Sequence, residues 1–163
     1  MNKLALLIFC LLTMKAQAYE DVLKQIVRNK PNIDTNKAIN IAKIVNKIRS
    51  KYNLPREVLP AILMQESSYR VEAINRVTHD YGMSQINRRT IQAFRFNTVK
   101  LTTDTEYSIE AAAIILQDLK KRYGNKEKTW FTRYNTNKPE LRQKYLNSIT
   151  RWMSEEQRKH YAH

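Results

Sequence analysis

Residues 63–86, LMQESSYRVEAINRVTHDYGMSQI, decide how the rest of this chain is read. The stretch opens on the end of an apolar run and delivers one carboxylate, Glu66. It then crosses a polar loop to Asp80, Tyr81 and Gly82, with Gln85 shortly after. A carboxyl group leaving a buried helix near its negative pole should resist ionisation, because burial and the helix dipole both disfavour the anion. Taken alone, a glutamate at a helix end is more often structural or solvated. The surrounding pattern has to lift it.

Upstream, 19–29 reads as a short amphipathic helix ended by Pro31. Asp34 or Thr35 can cap the next one, in which Ala38, Ile41, Val45, Ile48 and Tyr52 recur at helical spacing. A partner-binding coiled coil would need a longer pattern, so one face of a globular helix is the reading. Pro55 is placed at the first turn of the helix that carries Val58 to Met64, and Pro60 is expected to make that turn irregular.

Downstream, a helix is expected from near Asn87 towards Phe94. Asp104 or Thr105 starts the longest apolar helix, Ile109 to Leu119, which Gly124 ends. Thr129 to Tyr134 and Glu140 to Met153 read as two more helices, and 154–163 as a charged, frayed tail. Gly82 and Gly124 are the glycines of the chain and strand-like alternation is scarce. The fold class is therefore all-α, or α with a minor β-hairpin, in a single domain.

The first 18 residues read as a signal peptide. Lys3 is a positive n-region, Leu4 to Met14 an apolar run short for a membrane span, and Ala16-Gln17-Ala18 a cleavage site. An uncleaved anchor is the alternative. Cys10 is the one cysteine and lies in that leader, so the domain over 19–153 has no disulfide to form. Export without disulfides suggests a bacterial periplasm or exterior, and the periplasm is the location expected here. The net charge of +14 attracts polyanions, which outside the cytoplasm are wall polymers, anionic lipid headgroups or DNA. No nucleic-acid-reading motif is recognised, so no specific nucleic-acid partner is expected.

Several short motifs occur in a telling order. Gln65-Glu66-Ser67 is followed by Gly82-Met83-Ser84-Gln85-Ile86-Asn87, then by Leu101-Thr102-Thr103-Asp104 leading into Ile109, Ala113 and Leu116. Trp130-Phe131-Thr132-Arg133-Tyr134-Asn135 comes next, and Tyr145 after it. Together these resemble the lysozyme-like soluble lytic transglycosylases. That family has an ES dipeptide holding the catalytic acid, a G-x-x-Q-I segment lining the sugar groove, a "YN" motif and a final-helix tyrosine. The resemblance covers roughly residues 41–149 and implies a lysozyme-like, goose-lysozyme-like domain. The small exported form, with an acid before the groove glycine, further resembles members that accompany secretion, conjugation and pilus systems. This chain departs from the pattern at Ser84, Ser108, Ala112 and Thr136-Asn137, where Met, Asn, Gly and Gly are usual.

The resemblance implies peptidoglycan glycan strands as substrate and Glu66 as the catalytic residue. Ser67, Asp80, Gly82, Met83, Gln85, Tyr134 and Asn135 are the implied substrate-binding set, with Met83 either bordering the groove or packing. Tyr134 is the candidate for a hydrogen bond to Glu66 or substrate. No metal or cofactor is called for, and components of a transmembrane transport apparatus are the implied partners. Asp80 separates two outcomes. As a second catalytic carboxylate it would make the protein a hydrolytic lysozyme; as a helix cap or groove residue it leaves a single-acid transglycosylase, which is favoured. A non-catalytic wall-binding or scaffold protein is the reading from another class.

Overall fold

The computed structural model describes residue 17 and residues 19–162, so the expected leader lies almost wholly outside the described residues. Helix α1 spans 19–29, α2 Thr35–Lys51 and α3 Val58–Ser67. Three two-residue strands follow: β1 (Ile74–Asn75), β2 (Asp80–Tyr81) and β3 (Ile86–Asn87). The remainder is helical again: α4 (Arg88–Phe94), α5 (Thr98–Thr103), α6 (Thr105–Tyr123), a 3-10 helix at Trp130–Tyr134, α7 (Pro139–Ile149), a 3-10 turn at Thr150–Trp152 and α8 (Glu155–Ala162). The mostly helical expectation holds, with a small antiparallel sheet in order β1-β2-β3 as its β component.

Helix starts follow local chemistry. Asp34, Asn87 and Asp104 accept from the backbone N–H of Lys37, Arg89 and Tyr107 at 2.8, 3.0 and 3.0 Å, satisfying donors that the first turn leaves open. Helix α2 buries one face through Ala38, Ile41, Ala42, Val45 and Ile48. Helix α3 is apolar all round and buries every residue from Val58 to Met64. Such a helix belongs inside a protein. It is flanked by α2, α6 and α7. Each buried Leu or Ile there contributes about 1.5–3 kcal/mol by leaving water. The small residues Ala111, Ala112 and Ala113 of α6 are buried too, which lets its neighbours approach closely.

Two expectations need correction. Helix α3 starts at Val58, so Pro55 precedes it and Pro60 lies in its first turn. A proline there forfeits no hydrogen bond, because those N–H groups have no intrahelical partner. Gly124 ends α6 as expected, at a right-handed φ of −58°. The tail is not frayed. Residues Glu155–Ala162 form α8, Tyr161 packs edge-on against Phe131 at 4.8 Å, and the Ser154 amide donates to Glu57 at 2.5 Å. Ser154 and Gln157 stand at capping-box spacing, and Ser154 Oγ accepts from the Gln157 amide at 3.3 Å. That signal was present in the sequence.

Candidate active site

Helix α3 ends just past Glu66, and its end is held from several directions. Ser68 adopts a left-handed conformation (φ 53°) and its amide turns back to the carbonyls of Leu63 and Met64. Lys30, just after α1, donates from Nζ to the Ser68 carbonyl at 2.8 Å. Gln65 accepts from Ser148 Oγ at 2.7 Å and from the Trp152 indole at 2.9 Å. The residue beside Glu66 is thus tied to α7 and to the turn after it. The carboxyl group is carried on a rigid support.

Glu66 itself accepts a hydrogen bond from the Tyr145 hydroxyl at 2.6 Å. Burial pushes its pKa up to about 7; the Tyr145 bond opposes the rise and the nearby Asp80 charge adds to it. A carboxyl group raised towards neutral pH suits a proton donor that must later take a proton back. Burial also raises the Tyr145 phenol well above its ordinary range, with the Glu66 charge adding to the effect, so it remains a donor.

Asp80 sits on the central strand, paired across the sheet with Asn75 on one side and Asn87 on the other. Its Oδ1 accepts from Asn87 Nδ2 at 3.0 Å and its Oδ2 from the Thr78 hydroxyl. It caps no helix. Asn87 caps α4, and Asp80 braces Asn87. The expected cap role is corrected accordingly.

Gly82 makes the sharp turn between β2 and β3 at φ +77°, and a Cβ there would lie 2.1 Å from the Leu101 carbonyl oxygen. Its backbone is engaged internally: its N–H donates to Ala73 at 2.8 Å, and its carbonyl accepts from the Gln85 amide at 3.1 Å and side chain at 2.9 Å. Gln85, itself at φ +45°, also reaches the Ala73 carbonyl at 3.2 Å. The segment shapes the groove wall by bonding to itself.

A cleft of about 600 Å³ opens over this arrangement, and Glu66, Asp80, Gln85, Tyr134 and Asn135 all line it. An adjoining cleft of about 550 Å³ shares Glu66 and Gln85 and runs along Ala73 to Arg76. Glu66 therefore stands at the junction of two clefts. Five of the eight expected site residues face the groove, and three do not. Met83 is fully buried in the core. Ser67 is buried and its hydroxyl donates to the Met83 carbonyl at 2.7 Å, clamping the groove segment to α3. Gly82 is structural. Tyr134 lines the groove, but its hydroxyl donates to the Ser84 carbonyl at 2.8 Å and not to Glu66. Tyr145 takes that role. The sequence sign was the resemblance of Tyr145 to the family's final-helix tyrosine; its place on the buried face of α7 with Leu146 and Ile149 aims it inward.

Two of the departures noted above meet in the interior. Ser84 and Ser108 are both fully buried, and Ser84 Oγ donates to the Ser108 carbonyl at 2.5 Å. Compared with known families, residues 43–155 match the transglycosylase SLT domain. The chain belongs to that family. Its members are lytic transglycosylases acting on peptidoglycan, and the lysozyme-like domain here is that of a peptidoglycan-degrading enzyme of this type. No curated protein and no solved structure matches the chain significantly. Helix α1, whose Lys30 neighbour secures α3, lies before the matched segment. Among the described residues no group of His, Cys, Asp and Glu is arranged to hold a metal, and no helix is long and apolar enough to cross a membrane.

Proposed function

We propose that this transglycosylase SLT domain cleaves the β-1,4 bond between N-acetylmuramic acid and N-acetylglucosamine with Glu66 alone as acid and base. The carrying observation is the single largely buried carboxyl group at the cleft junction, raised to about 7 and held by Tyr145. Glu66 donates its proton to the glycosidic oxygen as the C1–O bond breaks. The substrate's own 2-acetamido oxygen bonds to C1, in the substrate-assisted manner that needs no protein nucleophile. The Glu66 carboxylate then removes the proton of the muramyl 6-hydroxyl. O6 bonds to C1, the acetamido oxygen departs, and the product is a 1,6-anhydro sugar. No water is consumed and Glu66 ends protonated, ready for another turnover.

Asp80 supports this reading by its engagement. Both of its oxygens already accept hydrogen bonds from the wall that carries them. It tunes Glu66 through charge and shapes the groove. An exported, periplasmic enzyme opening the wall locally for a secretion, conjugation or pilus apparatus fits the leader-like first 18 residues and the small size of the chain.

Mass spectrometry of the fragments released from purified peptidoglycan, beside the Glu66→Gln variant, tests the reaction. Ends carrying 1,6-anhydro-muramic acid from the wild type alone are the expected result. Reducing muramic ends would make water the acceptor and bring Asp80 into the chemistry as a lysozyme carboxylate.

A further inference from the structure

The cations lining the two clefts that meet at Glu66 are all arginines. Arg89, Arg122 and Arg133 line the larger cleft, and Arg70 and Arg76 the adjoining one. Arg88 joins Arg89 in a third cleft of about 350 Å³ that shares Asn87 with the first. Among the described residues not one lysine lines these three clefts, although lysines outnumber arginines in the chain. A surface that is basic merely for solubility would not sort the two residues this way. Arginine differs from lysine in its planar fork of donors, which matches a carboxylate in bidentate fashion.

Three of these six forks, those of Arg76, Arg88 and Arg89, have no protein partner among the described residues, and Arg70 donates its Nε–H to the Ser67 carbonyl at 3.0 Å. Arg122 pairs with Asp118, and Arg133 with Glu127, which it shares with Arg142. Arg70, Arg76, Arg88 and Arg89 have no carboxylate partner among the described residues. Two guanidinium groups also lie over the half-buried Tyr123 ring, Arg133 at 3.9 Å and Arg122 at 5.6 Å from its centre. That stacking restrains them at the rim of the cleft.

N-acetylated amino sugars are uncharged, so the sugar backbone of a strand in this groove offers these arginines hydrogen-bond acceptors but no anionic partner. The negative charge of peptidoglycan sits on the peptides that branch from the lactyl ether of each muramic acid. We infer that the arginines flanking the groove bind stem-peptide carboxylates, so that the enzyme selects strands still bearing their peptides. This rests on the peptidoglycan reading above and adds a specificity site to it.

The test is binding, which separates it from the reaction. The full chain carrying Glu66→Gln is titrated with solubilised strands whose stem carboxylates are free, or with the same strands after amidation of those carboxylates. Amidation should weaken binding about tenfold, in the range of charge-assisted hydrogen bonds at an exposed site. Adding Arg76→Gln and Arg89→Gln, one unpaired arginine from each cleft that meets at Glu66, should remove most of that difference. Arg158→Gln, an exposed arginine on α8 away from the clefts, should retain it. Equal affinity for both strand preparations overturns the inference. So does an equal loss with Arg158→Gln, which would make the effect one of net charge. If the strands bind as expected but the wild type yields no anhydro ends, the proposed reaction fails and this site stands.

Discussion

Glu66 and Asp80 line the same cleft, and the protein treats them in opposite ways. Glu66 leaves a helix that is apolar all round, and its one protein partner among the described residues is the Tyr145 hydroxyl at 2.6 Å. Asp80 lies on a short solvent-facing sheet, with hydrogen bonds to Asn87 and Thr78. Burial favours the neutral acid in the first case; in the second, polar neighbours on the wall occupy both carboxyl oxygens. One carboxyl group is prepared to give up a proton near neutral pH, and the other supplies charge and geometry. The difference lies in which element carries each residue, since the two side chains differ by one methylene.

The largest effect expected is from Glu66→Gln. Losing the sole acid should lower anhydro-sugar release by about 10³-fold or more, because both proton transfers pass through it. Stability should move the other way. Glu66 has a folded pKa above its unfolded one, so its contribution is complete below the unfolded value and is lost as pH rises through about 7. Above that pH the variant should be the more stable protein, by up to roughly 3 kcal/mol, read as a higher Tm at pH 8 than the wild type. An unchanged Tm difference between pH 5 and pH 8 would mean that the carboxyl is not largely buried.

Gly82→Ala attacks the Asp80 wall. Its positive φ and the Leu101 carbonyl leave no room for a Cβ, so a loss of about 3 kcal/mol is expected in denaturant unfolding. Tyr145→Phe removes the donor to Glu66. The loss of one hydrogen bond to a charged group should lower kcat about 10- to 100-fold. Because that bond holds the Glu66 pKa down, the alkaline limb of the pH–rate profile should move to higher pH. Asp80→Asn should be the mildest, costing activity only a few-fold while moving the same limb to lower pH, since the Asp80 charge is one of the influences that raise Glu66. A loss of several orders of magnitude would erase the distinction between the two carboxylates.

Much of this was legible in advance. Asp34 and Asp104 announce their helices because a cap interacts with an amide three residues on. Gly82 marks the one turn where the backbone passes close under another segment. The even spacing of apolar residues in α2 and the unbroken run in α3 separate a half-buried helix from a central one. The tail reads as frayed in the sequence although Ser154 and Gln157 can cap it, because Tyr161 is a single large anchor among charged neighbours. Ser67 and Met83 belong to motif segments that line the groove, yet both side chains turn inward; a motif names a segment and not the direction of each residue in it.

What the sequence determined by itself is short-range: the helix starts, the buried character of α3, the acid at its end and the glycine turn facing it. These follow from interactions within a few residues, which any folded context inherits. Only the tertiary structure decided which tyrosine serves Glu66. Tyr145 lies 79 residues away, while the nearer Tyr134 is drawn off to the Ser84 carbonyl. It also decided that arginines from the sheet loop, α4, α6 and the Trp130–Tyr134 turn converge on the clefts while lysines do not. Such partnerships depend on how packed helices aim their side chains, and packing is a property of the whole chain.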